Sequence, residues 1–384
     1  MKVLVAGTGF AGQGHADAFR AAGVEVAGIV GRTPEVVREV AARKNIPYAG
    51  TDWQAALHDL RPEIVSIATP GGAHHAAITQ ALALGCHVFV DKPMTHSGPT
   101  AVELYRLARQ RGVKTAYAAS FRYTPSVRHA RRLVAQGAIG APTEAECISH
   151  FNLERGIPFG WSHRAEQGGG RLNNNFTHTL SIVSSVVGDK ILRVAGELRD
   201  DLCRAPIVAG VHDFTKRRNF IPENLNDPSL QWGESNVEWS YTVLAQFESP
   251  FAGKPVSALF RHGALVPRFH EDHIVFYGME GAIYLKGHYG SGQLYLWGKD
   301  QSWQEVPLPR DIADDTPRVE GETEQCWHHL VRDFVGDIRG EAVEPYPTFR
   351  DGCRYQLIID QLRQNGDWAA VPDPDADLPQ GGCE

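Results

Sequence analysis

The strongest constraint on the fold stands at the start of the chain. An apolar run over residues 2–6 stops at Gly7-Thr8-Gly9-Phe10-Ala11-Gly12, a helical pattern follows over 13–22, and a second apolar run covers 24–30. Each glycine answers a separate steric need. Gly7 permits a tight turn out of the strand, Gly9 lets backbone approach a ligand with no Cβ in the way, and Gly12 lets the helix lie close to the strand. The helix amino terminus then presents unpaired N–H groups, which suit a pyrophosphate. Strand, Gly-x-Gly-x-x-Gly, helix, strand is the order of a dinucleotide site in a parallel sheet.

Beyond it, helical patterns over 34–42, 53–60, 76–84 and 99–110 alternate with strand-like runs over 63–68, 88–90 and 113–118. That alternation predicts a doubly wound parallel sheet, a Rossmann unit over residues 1–122. Two loops stand out. Thr69-Pro70-Gly71-Gly72 follows one strand, with His74 opening the next helix, and Asp91-Lys92-Pro93 ends another. Pro93 removes a donor and disfavours helix at Lys92, and the carboxyl ends of parallel strands are where ligands bind. A site for NAD carries an acid about 20 residues past the glycines. Here that place holds Gly31, followed by Arg32 and Thr33. The missing carboxylate leaves room for a 2′-phosphate that a guanidinium can pair with, so the expected cofactor is NADP in preference to NAD.

A length of 384 residues exceeds one ordinary core and predicts two domains. The net charge of −7 gives no reason to expect nucleic acid or an anionic membrane, and no apolar run approaches the ~20 residues of a membrane span. The six cysteines are scattered without a Cys-x-x-Cys pair, and no export signal is read, so the expectation is free thiols in a cytoplasmic protein. No metal is expected. His270-Glu271-Asp272-His273 alternates faces as the solvated start of a strand, and His328-His329 on a helix is no better.

The glycine loop with His15, Ala68-Thr69-Pro70 with His74, and Asp91-Lys92-Pro93 form an ordered set that resembles the glucose-fructose oxidoreductase / inositol dehydrogenase / rhizopine-catabolism (Gfo/Idh/MocA) family. Ser120-Phe121-Arg122-Tyr123-Thr124-Pro125 resembles its linker, and Trp161 with Gly168-Gly169-Gly170 and His178 resembles its second active-site segment. Gly278-Met279-Glu280-Gly281-Ala282-Ile283 looks like its substrate-domain hairpin, so the likeness reaches to about Leu362. The resemblance implies NAD(P)-dependent hydride transfer at a hydroxyl or keto carbon of a sugar, cyclitol or sugar derivative. Lys92 would serve the substrate hydroxyl and the ribose, and His178 would be general base. Where the family usually has Asp, four residues before the histidine, this chain has Asn174, which cannot take a proton. Asn174 would orient His178 or a substrate hydroxyl. The change keeps two other readings open: glycoside cleavage by transient oxidation with a retained dinucleotide, and a non-catalytic nucleotide sensor.

Residues 123–371 change pattern. A connecting helix over 127–136 precedes partly alternating runs at 143–151, 192–198, 237–247, 256–260, 273–276, 282–285 and 293–297, with helices at 176–187, 324–338 and 354–363. This predicts an open, mostly antiparallel sheet with one helical face. The resemblance implies that the other face pairs subunits into a dimer or tetramer. Arg122, Tyr123, Trp161 and Arg164 are expected sugar contacts. Residues 205–233 form a long irregular excursion, read as lid, oligomer arm or surface loop, and 372–384 a loose tail.

Overall fold

Parallel strands and helices alternate through the first third of the computed structural model, which describes residues 1–211, 214–267, 272–298 and 300–376. The order is β1 (Lys2–Ala6), α1 (Phe10–Ala21), β2 (Glu25–Val30), α2 (Pro34–Lys44), β3 (Tyr48–Gly50), α3 (Trp53–Leu60), β4 (Ile64–Ile67), α4 (His74–Ala83), β5 (His87–Val90), α5 (Gly98–Arg111) and β6 (Thr115–Tyr117). The strands pair in parallel as β3-β2-β1-β4-β5-β6. Val3, Leu4, Val5, Ile64, Val65, Ile67, Val88, Phe89 and Val90 are fully buried, because helices cover both faces and no strand position can be polar without a partner. Strand order reverses between β1 and β4, so the glycine loop and the Thr69 loop leave the sheet side by side. Only β3 was unforeseen here; three residues ending in glycine carry no periodic signal.

After α6 (Pro125–Ala135) the chain builds a second sheet from β7 (Pro142–His150), β8 (Lys190–Arg199), β11 (Ser240–Glu248), β12 (Val256–Gly263), β13 (His273–Gly278), β14 (Ala282–Lys286), β15 (Leu294–Trp297), β16 (Trp303–Val306) and β17 (Ala369–Ala370). Their order is β16-β15-β14-β13-β7-β12-β11-β8-β17, antiparallel except where β7 and β12 run parallel. The helix α7 (Thr177–Val187), buried over almost its whole length, lies against β7 and β11. On the opposite face Leu244, Tyr277 and Trp303 remain 43%, 39% and 44% exposed. The excursion is less irregular than expected: β9 (Arg204–Pro206) pairs with β10 (Trp232–Glu234), and the 3₁₀ turn Phe214–Phe220 sets Phe214 5.0 Å from the Trp161 ring.

Two late helices return to the first sheet. Past the short α8 (Arg310–Asp315), α9 (Glu322–Ile338) lies along α1, and α10 (Phe349–Gln364) lies along α5. Trp327 fills the space left by Gly14, where a Cβ would stand 2.3 Å from the indole, and packs 4.9 Å from His15 and 5.2 Å from Phe10. The tail is held as far as it is described, since Asp375 accepts from Tyr105, Arg109 and Arg350. Residues 377–384 of the expected loose tail lie outside the described residues, as do Cys383, His270 and Glu271. Asp272 is buried and not solvated, accepting from the His150 backbone at 2.9 Å and lying 3.0 Å from the His288 ring. The other five cysteines are free. Among the described residues no cluster of His, Cys, Asp or Glu is placed to hold a metal, and no helix is long and apolar enough to cross a membrane. Trp327→Ala should cost about 3–5 kcal/mol and lower the urea midpoint followed by circular dichroism; an unchanged midpoint would show that the α1–α9 contact does not stabilise the molecule.

Candidate active site

The glycine loop divides its labour as the sequence implies. Gly7 has φ +119°, and a Cβ on it would lie 2.4 Å from the Ala68 carbonyl oxygen. A Cβ on Gly12 would lie 2.0 Å from the Gly7 carbonyl oxygen. Gly9 differs: among the described residues nothing lies within 4 Å of its would-be Cβ, so the space above it is open. The first intrahelical bond of α1 is Gln13 N–H to the Gly9 carbonyl at 3.1 Å, which leaves the amides of Phe10, Ala11 and Gly12 without intrahelical acceptors. No acid stands in that first turn to occupy them. Across the crevice, Thr69 Oγ1 is buried with no partner among the described residues. Open space, free amides and an orphan hydroxyl fit a dinucleotide pyrophosphate. A Cβ at Gly31 would lie 2.9 Å from Thr8 Cγ2 and 3.0 Å from Val37 Cγ2, so the usual acid does not fit there unless those side chains shift; Arg32 beside it is exposed.

His74 does something other than the expected cofactor contact. It is fully buried, with Nε2 2.7 Å from the Thr69 carbonyl oxygen and Nδ1 3.2 Å from that of Met94. Burial lowers its pKa, so the neutral ring carries one N–H and donates to one of these two carbonyls. The imidazole ties the Thr69 loop to the Lys92 loop.

Lys92 emerges where β5 ends. Asp91 Oδ1 accepts the Lys92 N–H at 2.9 Å, shaping the turn, and the Lys92–Pro93 peptide is cis. The half-buried ammonium donates to Asn174 Oδ1 at 3.1 Å and to the Asn174 carbonyl at 3.3 Å. Burial lowers its pKa to about 8, with Asp91 opposing and Arg171 adding to the fall. The Asn174 amide is thus occupied by Lys92 and, through Nδ2, by the Gly170 carbonyl at 3.2 Å; its hydrogen bonds do not reach His178. The asparagine sits in a π-helical turn, Leu172–Phe176, which leads straight into α7. That turn is pinned by Glu238, whose Oε1 accepts Leu172 N–H at 2.9 Å and whose carboxylate pairs with Arg363.

His178, in the first turn of α7, is 7% exposed. Its ring meets Phe121 edge-on at 4.7 Å and Tyr289 at 5.1 Å, and Nδ1 is buried without a partner among the described residues. Burial, then Lys92, His288 and Arg171, hold its pKa well below the usual histidine value, so the imidazole is neutral. Trp161 is half-buried against Phe214, whereas Arg164 is exposed and lies 4.8 Å over the Phe159 ring.

Two expected sugar contacts are turned away. The linker closes into the 3₁₀ turn Ser120–Tyr123, and with three residues per turn successive side chains diverge by a third of a circle. Phe121 takes the direction of His178. Arg122 points to Ser181 Oγ at 2.9 Å, and Tyr123 donates to Asp333 at 2.7 Å while stacking on His329. Phe121, Arg171, Arg217, His262 and Tyr289 were given no role from the sequence; Phe121 stood only as part of the linker stretch, and the others become visible only through burial.

A dinucleotide cradle facing a lysine and a neutral histidine defines an NAD-binding oxidoreductase fold. The comparisons agree: residues 1–119 match the model described as oxidoreductase family, NAD-binding Rossmann fold, and residues 127–284 match the GFO/IDH/MocA C-terminal domain. The chain belongs to the GFO/IDH/MocA family. It is 26% identical to an uncharacterized oxidoreductase of Synechocystis, covering 99% of this chain and 98% of the relative. It is 24% identical to levoglucosan dehydrogenase of Pseudarthrobacter phenanthrenivorans, covering 97% and 98%. A levoglucosan dehydrogenase structure in complex with NADH and L-sorbose superposes with TM-score 0.81 at 20% identity, covering 97% of this chain and 99% of that one.

Because the pKa of Lys92 is depressed, the unfolded chain holds more protons than the folded one between about pH 8 and its ordinary value of 10.5, so this residue's contribution to stability rises with pH across that window. Lys92→Met should therefore raise the melting temperature at pH 7, and the gain should fade toward pH 10.5. A variant that melts lower at pH 7 would contradict the burial of this cation.

Proposed function

We propose that the chain is an NAD(P)-dependent dehydrogenase or reductase acting at a hydroxyl or keto carbon of a sugar, cyclitol or sugar derivative. The observation that carries this reading is the Lys92 ammonium, held by both oxygens of Asn174 with its pKa near 8, in a cleft where the buried His178 is neutral. The backbone from Gly7 to Gly12, Thr8, Thr69, Pro70 and Asp91 would hold the dinucleotide, with Arg32 and Thr33 at its ribose. Bound there, the nicotinamide supplies or accepts the hydride. The proton is the work of the protein: Lys92 Nζ hydrogen-bonds the substrate oxygen and steadies the charge that develops on it, and the His178 ring exchanges the hydroxyl proton. The absence of a side chain at Gly31 and the exposed Arg32 support a preference for NADP.

A panel of sugars and polyols assayed with NAD and NADP tests this reading by nicotinamide absorbance. Lys92→Ala and His178→Asn should each lower kcat/KM by about 10²–10⁴-fold. The profile of kcat/KM should carry an ionisation near pH 8 that moves upward in Asn174→Asp, since a carboxylate beside Nζ favours the ammonium. Full activity in Lys92→Ala would end the proposal. Copurified dinucleotide that does not exchange, with product showing no net redox change, would instead favour glycoside cleavage.

We also propose that the outer face of the second sheet joins subunits into a homodimer or homotetramer, as the exposure of Leu244, Tyr277 and Trp303 suggests. Light scattering should show an oligomer for the parent chain and a shift to monomer for Leu244→Glu; a monomeric parent would dismiss the interface.

A further inference from the structure

The wall of the cleft beside Lys92 holds more positive charge than its own side chains balance. Arg171 follows Gly170 and is 5% exposed. Its Nε donates to His262 Nε2 at 2.9 Å and its guanidinium lies 4.5 Å from the centre of the Phe151 ring, yet Nη2 is buried with no partner among the described residues. The nearby Glu238 is committed elsewhere, with Oε1 on Leu172 N–H and Arg363 Nη2 and Oε2 on Arg363 Nε. Asp272 answers His288, and Asp91 accepts the Lys92 backbone amide.

A second buried cation comes from the excursion. Arg217, 8% exposed, donates to Ser162 Oγ at 3.1 Å and lies 3.8 Å over Phe214. The Ser162 carbonyl in turn accepts Gly170 N–H at 3.1 Å, so the two arginines bracket one short stretch of chain. Buried histidines stand beside the two arginines. His262 receives Arg171 on Nε2 and so carries its proton on Nδ1; His163 Nε2 and His178 Nδ1 are buried and unpartnered among the described residues. The charge of Arg171 is felt at both Lys92 and His178, lowering the pKa of each.

A buried guanidinium without a counter-ion is costly, and sugar hydroxyls can bond to it without balancing its charge. A carboxylate does both, and its two oxygens match the guanidinium fork. We propose that the substrate is a sugar acid whose carboxylate is received by Arg171, with Arg217 adding to the field. This rests on the dehydrogenase reading above and narrows its substrate class from sugar derivatives in general to uronates and aldonates.

The test measures kcat/KM for matched pairs: D-glucuronate against D-glucose, D-galacturonate against D-galactose, and D-gluconate against D-glucitol, with D-glucose 6-phosphate as a separate anionic arm. At least one acid should exceed its neutral counterpart by about 100-fold or more, the scale of one buried charged hydrogen-bond pair. Arg171→Met should reduce that acid-to-neutral ratio about 100-fold and Arg171→Lys should restore part of it. The parent enzyme decides even if Arg171→Met fails to fold, because its own ratio is informative. Neutral sugars turned over as well as or better than every acid, or a preference for the phosphate, would overturn this inference and leave the dehydrogenase reading standing. No turnover of any member would overturn both.

Discussion

The site depends on one opposed pair of requirements at Lys92: burial disfavours its charge, and the Asp91 carboxylate beside it favours that charge. Neither wins outright, and the result is a pKa of about 8 where an ordinary lysine sits at 10.5. The surrounding architecture serves that balance. The end of β5 delivers the ammonium, the π-helical turn presents both oxygens of Asn174 to it, and Glu238, paired with Arg363, accepts the Leu172 amide at the start of that turn. A π-helical turn immediately before α7 is a local departure from regular backbone of the kind that gathers at functional sites.

The cleft is built from both domains, and small residues let its walls meet. A Cβ on Gly168 would lie 2.8 Å from Pro93 and 3.2 Å from Gly71, so the second-domain segment rests directly on the two loops of the first. His74 locks those loops to each other from beneath. The Thr69 loop, the Lys92 loop and the Gly168 segment are therefore one packed unit, and a shift in any of them would be felt at the ammonium. The family assignment and the dehydrogenases among the relatives are consistent with a site of this construction.

What the sequence made legible was whatever depends on local geometry. The glycine roles follow from steric needs within six residues, and β5 ending just before Asp91-Lys92 follows from an apolar run meeting charge and proline, so both could be read directly. The absent acid at Gly31 was legible for the same reason. Arg122 and Tyr123 were misassigned because a 3₁₀ turn splits neighbours that look equivalent on paper. The resemblance put Asn174 at His178 or a substrate hydroxyl; its bond to a lysine arriving from residue 92 depends on tertiary packing and left no local signal. Arg171 and Arg217 carry no sequence signal at all, since arginines are ordinarily solvated and only tertiary packing reveals that these two are not. The strands β3 and β17, of three and two residues, were too short to leave a period.

The return of α9 and α10 to the first sheet has a consequence for how the molecule comes into being. During synthesis the first sheet and α1 emerge early, but the groove over Gly14 and the flank of α5 stay uncovered until residues beyond 320 have left the ribosome. The nucleotide-binding unit is thus completed last although it begins first. For most of translation its apolar flank is open to a chaperone, and a ribosome stalled within the second sheet would leave behind an unfinished first domain rather than a finished one with a ragged end.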